Sequence, residues 1–238
     1  MEILPIDLID GLKNFSWKDG CILFSVDHTT PSKTIYQAVC DEIGRFYQAK
    51  GFKYAPSSKK LQYQYQDFKI KIHFSSSHYN TMGWVRFEIN SGLYPIRLEK
   101  QYKAAKEKLL PIILYNNSGL LDELIPDRPA GTVIGVTPFG EEKESVQSDN
   151  PYALRKYYHG FNAYNIKLED FRNTLAYINK LIEYSFRLVL NESEMVKHLK
   201  KANDRNFKFY KEKRFVDYLY LYYERDSRLV QFLATLQD

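Results

Sequence analysis

The chain has 238 residues, room for one large domain or two small ones, and enough to bury a core without disulfide or metal staples. Hydrophobic residues make up 44% and charged residues 26%, a balance that excludes wholesale disorder. A net charge of +5 is too weak by itself to imply nucleic acid, and Cys21 and Cys40, with no CxxC between them, signal neither a zinc site nor a disulfide framework.

The amino end, MEILPIDLIDGLKNF, carries acidic residues and no basic stretch before an apolar core, so it does not read as a secretory signal. No apolar run approaches the roughly 20 residues a bilayer requires. A soluble, cytoplasmic protein with reduced thiols is expected. GCILFSV (20–26) is a short apolar run that reads as a buried strand. A helix is expected over 31–50, with Thr30 as N-cap and Pro31 in the first turn. Ile35, Val39, Ile43 and Phe46 recur at helical spacing, and Gly51 supplies a stop.

Three strands follow: LQYQY (61–65), FKIKIHF (68–74) and WVRFEI (84–89). In the second, Phe68, Ile70, Ile72 and Phe74 alternate with Lys69, Lys71 and His73. That pattern belongs to an antiparallel sheet with one buried and one wet face. The intervening SSSHYNTMG (75–83) is made of turn formers. RLEKQYKAAKEKLLPIIL (97–114) reads as a basic amphipathic helix kinked or ended by Pro111. The stretch 124–151 holds four prolines, one candidate strand at 131–136 and a polar connector at 141–150. The rest is helical: 168–190, 192–203 and 216–236. The expected fold is therefore α+β, an antiparallel sheet covered by helices and followed by a helical C-terminal region. The boundary is placed at the connector, with a sheet domain over 1–145 and helices over 151–238, the two able to pack as one.

Ser75, Ser76, Ser77 and His78 invite a nucleophile-and-base reading, but adjacent side chains in a strand or turn point apart and no G-x-S-x-G elbow is present. The five histidines show no metal-ligand spacing, so no metal and no cofactor are assigned. Asp67 and Glu88, on successive strands after a helix bearing Glu42, are the acids a metal-dependent nuclease would need, though Asn90 stands where its lysine belongs. KHLKKANDRNFKFYKEKRF (197–215) sets eight basic residues, among them Lys200, Lys201, Arg205, Lys208 and Lys211, against Asp204 and Glu212. Phe207, Phe209 and Tyr210 interleave with them, a pattern that suits single-stranded nucleic acid; the plainer account is a solvated helix whose aromatics face the core. Twenty tyrosines are the unusual count, and Tyr suits half-exposed recognition surfaces.

KGF (50–52), the strand ending F-x-S-S (74–77) and FEINSGLYP (87–95) resemble a family of small bacterial α+β domains of unknown function. The resemblance spans about residues 50–95 and rests on structural motifs. It implies a compact protein that serves beside a toxin as an immunity-like or antitoxin-like partner. The expected function is binding of a protein without catalysis or membrane attachment. The expected surface comprises Lys69, Lys71, His73, His78 and Tyr79, with Tyr63 and Tyr65 nearby. Nucleic-acid binding through 197–215 and nuclease chemistry at Asp67 and Glu88 are the alternatives.

Overall fold

The computed structural model describes residues 4–76, 80, 85–115, 132–136, 143–147, 160–163, 166–204 and 209–235. Helix α1 (Ser32–Gln48) is followed by strands β1 (Lys53–Ala55), β2 (Lys60–Tyr65), β3 (Phe68–Ser76) and β4 (Arg86–Pro95), then α2 (Ile96–Ala104) and β5 (Ile113–Tyr115). Strands β6 (Thr132–Val136) and β7 (Lys143–Gln147) form a two-stranded sheet, whereas β8 (Gly160–Asn162) returns to the main sheet. Helices α3 (Leu168–Leu190), α4 (Glu192–Asp204), α5 (Lys213–Tyr222) and α6 (Arg228–Thr235) complete the order. The fold is α+β.

The main sheet runs β1-β2-β3-β4-β5, with β8 on the outer half of β4, and every pairing is antiparallel. Phe68, Ile70, Ile72 and Phe74 are all buried, so the alternation in β3 sorts its two faces as the sequence indicates. Register sets Leu61 beside Ile72 and Tyr63 beside Ile70 on that same inner face. Helix α1 is joined to it by Tyr36, whose hydroxyl donates to the Phe74 carbonyl at 2.7 Å. Helix α3 brings Phe186 edge-on to Tyr63 and Tyr65. One polar knot ties three segments together: the Tyr47 hydroxyl lies 2.6 Å from Asn179 Oδ1, and Asn179 Nδ2 donates to the Leu8 carbonyl at 2.7 Å. The buried residues of sheet, amino-terminal arm and C-terminal helices form one continuous cluster. Of the connector at 141–150, residues 141–142 and 148–150 lie outside the described residues.

Five local expectations are corrected. The 20–26 run is not a strand. Ile22–Phe24 forms a single 3-10 turn that buries Leu23 and leaves Phe24 57% exposed, since a short apolar run carries no period to fix its conformation. Thr30 does not cap α1. Its hydroxyl is engaged by Asp27, accepting the Asp27 N–H at 3.0 Å, and Pro31 stands at the N-cap in extended conformation. Gly51 does adopt the left-handed conformation beyond the helix, at φ 86°, and lets the Phe52 N–H return to the Tyr47 carbonyl.

Helix α2 stops ten residues short of the expected 114. Lys106 takes φ 59° and the Glu107 N–H closes on the Tyr102 carbonyl, a left-handed stop built without glycine and therefore unmarked in the sequence. The polar connector contains β7, paired residue by residue with β6. Finally, the helix expected over 216–236 is two. Tyr223 is extended, and Ser227 restarts the chain by accepting the Val230 N–H.

Candidate functional site

The outer face of the sheet carries the side chains that alternate with the core residues. Cross-strand register builds it row by row: Lys60, His73 and Asn90; then Lys53, Gln62, Lys71 and Gly92; then Gln64, Lys69 and Tyr94. Directly opposed side chains on one face of an antiparallel sheet lie about 5 Å apart, so each row is a contact unit.

The two ends of this face differ. Toward α2, the surface is covered. Lys69 and Lys71 converge on the Glu99 carboxylate, Lys71 at 2.9 Å, and their side chains keep only 15% and 20% of their exposure. The Lys71 ammonium also sits 4.0 Å from the centre of the Tyr94 ring. Burial pushes the Glu99 carboxyl up, but the hydrogen bonds and charge of the two lysines outweigh it and hold the group below its ordinary value. Pro111 closes over Gly92, where a Cβ would come within 2.8 Å of Pro111 Cβ. At the edge of this cover, Asp67 accepts from Arg97 Nε at 2.7 Å and from the Tyr222 hydroxyl, which pins α5 to the β2–β3 turn. Burial first, then the bond to Asp67, raise Tyr222 to about 12.

The other end is open. Lys53 and His73 are exposed, and Lys60 and Gln62 are half-buried. Among the described residues no ion pair joins Lys53, Lys60 or His73 to an acid. Partial desolvation by the crowded strands, then the charges of Lys60 and Lys71, hold the His73 imidazole below its usual value. His78 and Tyr79 lie outside the described residues.

Tyr63 and Tyr65 are not on this face. They pair with Ile70 and Phe68 on the inner side, and Tyr94 is the aromatic residue that accompanies the lysines. Sequence reasoning missed Glu99, Tyr94 and Lys60. The signal for Tyr94 and Lys60 was strand parity once pairing is known; Glu99 had none, because its helix reaches the sheet only through the tertiary fold.

The acids proposed for a nuclease are kept apart. Asp67 precedes the first residue of β3, and Glu88 pairs with Ser75. Eight positions along a strand at about 3.3 Å each separate them by about 26 Å, far beyond what one metal ion or a closely spaced pair can bridge. Glu42 lies elsewhere, accepting from Arg45 at 2.7 Å and from the Lys18 N–H. Ser75 accepts from Asn90 Nδ2 at 3.1 Å.

In the basic segment, Lys200 and Lys211 are exposed, while Arg205 and Lys208 lie outside the described residues, as does the side chain of Lys201. Tyr210 is fully buried, its hydroxyl donating to Asn203 Oδ1 at 2.6 Å, and Phe209 packs edge-on to Phe215. The Tyr210 ring is spent on packing and closed to bases, whereas Phe209 is half-buried.

Among the described residues no helix is long and apolar enough to cross a membrane. No family model, curated protein or solved structure matches this chain.

Proposed function

We propose that the chain is a non-catalytic protein-binding protein that recognises its partner through the open end of the outer sheet face. The observation that supports this reading is the row of Lys60, His73 and Asn90 beside Lys53 and Gln62, cationic and amide side chains carried on a four-strand surface. A surface of one sign steers an oppositely charged partner and fixes its orientation. Side chains held by strand pairing also lose little freedom on binding. The resemblance of residues 50–95 to small bacterial domains that accompany toxins adds an immunity-like or antitoxin-like role, with a toxin as the partner.

The test is pairwise co-expression and co-purification with the products of adjacent genes, followed by calorimetry on any complex. The double variant Lys60→Glu, His73→Glu should fold normally and lose at least about tenfold in affinity, about 1.4 kcal/mol. Affinity unchanged by that double variant, or no complex with any neighbouring product, overturns the reading.

A further inference from the structure

We infer that the occupant of this face is an extended acidic segment of another protein, with carboxylates at alternate positions that meet the Lys60–His73 row and the Lys53–Gln62 row in turn. The inference rests on the protein-binding reading and adds the chemistry of the partner.

Three observations lead to it. The first is spacing. His73 and Lys71 are two residues apart on β3, so their rows lie about 6.6 Å apart. The side chains on one face of any extended chain repeat at that same interval. A strand laid along β3 with acids at every second position therefore presents one carboxylate to each row.

The second is the state of the cations. Lys69 and Lys71 already share the Glu99 carboxylate, brought to this face by α2, and at the far end register sets Glu88 of β4 opposite Ser75 on the same face. Glu99 marks the covered end of a lysine track whose next row, Lys60 with His73, has no such partner among the described side chains. The groups that face His73 are Lys60 from β2, Lys71 on its own strand and the neutral Asn90 from β4, with Glu88 of β4 one row further along the same face. Partial desolvation, then the charges of Lys60 and Lys71, make His73 give up its proton early in the isolated protein, and an arriving anion favours its return.

The third separates protein from nucleic acid. Non-specific binding of a single strand relies on aromatic platforms for the bases. On this face the described aromatic side chain is Tyr94, and the Lys71 ammonium occupies its ring. Gln62, Gln64 and Asn90 instead offer amides, which donate to and accept from a peptide backbone.

The experiment uses the full chain and three fluorescent probes: a short peptide alternating threonine and glutamate, an isomer with the glutamates contiguous, and a single-stranded oligonucleotide of equal charge. Anisotropy is read at about pH 5.5 and about pH 8, either side of the ordinary imidazole value of about 6.5. The alternating peptide should bind up to about tenfold tighter at the lower pH, the ratio that corresponds to an imidazole raised by about one unit on binding. His73→Gln should flatten that dependence while residual binding persists. Lys60→Gln should weaken binding at both pH values, and Lys180→Gln, on the exposed side of α3, should change nothing. Equal affinity for both peptides, binding indifferent to pH and to His73→Gln, or an oligonucleotide that outcompetes the peptide, would each overturn the inference. If a genuine partner needs Lys60 and His73 yet binds equally at both pH values, only the acidic-segment inference falls. If a partner binds regardless of those residues, the surface reading beneath it falls as well.

Discussion

The inner and outer faces of β3 are written in the same nine residues, FKIKIHFSS, yet they are governed by different physics. On the inner face, Phe68, Ile70, Ile72 and Phe74 are all at least nine-tenths buried, and each gains by leaving water whatever its neighbours are. On the outer face the alternating positions are polar, but they do not share one environment. Lys69 and Lys71 are held under α2 by Glu99, and His73 stands in the open. Apolar burial is decided by residue type, whereas the fate of a polar side chain depends on which distant segment comes to meet it. The covered lysines therefore serve cohesion, and the open row is available for recognition.

Truncation of the inner face should be the severest test. Phe74→Ala removes a ring that is 4% exposed and should cost about 3–5 kcal/mol, read as a large fall in the urea midpoint. An unchanged midpoint would remove β3 from the core. Next comes the cover on the outer face. Gly92→Ala would press a methyl against Pro111 at 2.8 Å and should cost about 1–3 kcal/mol. Pro111→Gly in the same chain should recover part of that loss, and strict additivity of the two would show that the contact is absent.

Glu99→Gln leaves two half-buried lysines without their counter-charge and should cost about 1–2 kcal/mol, moderated by the solvent that still reaches the site. The Glu99 carboxyl is held low in the folded protein, so its contribution is complete above about pH 4.3 and disappears as pH falls through the folded-state value. The midpoints of wild type and Glu99→Gln should therefore converge in acid. A gap that persists there would mean that Glu99 acts through shape rather than charge.

The smallest effect belongs to the open row. His73 is held below its ordinary value, so the unfolded chain takes up the proton first. Stability should decline gently as pH falls from about 6.5, and His73→Gln should remove that slope. A rise in stability over the same range would mean that an acid faces His73 after all.

Much of this protein was legible in residue order. The 3.6-residue pattern of 168–190 marks α3 to the residue, and the two-residue pattern of β3 sorts its faces correctly, because each signal arises from one side chain's preference between water and apolar surroundings. Periodicity and burial preference thus determined the α+β class, the core strand and most helices. Chain ends and stops were less legible where Lys106 takes a left-handed turn usually left to glycine, and where Ser227 divides a continuous apolar pattern.

The tyrosines mark the limit most clearly. Their abundance suggested a recognition surface, but Tyr47, Tyr210 and Tyr218 are fully buried, and the hydroxyls of Tyr36, Tyr47, Tyr102 and Tyr210 bond internal partners far along the chain or across a turn. A phenol is apolar in its ring and polar at its tip, so sequence alone cannot say whether the tip meets water or a buried acceptor. Only the tertiary fold decided that. It also decided which lysines Glu99 would claim and which would be left with His73, since a carboxylate on α2 and an ammonium on β3, about thirty residues apart, meet only when register and helix placement are both fixed.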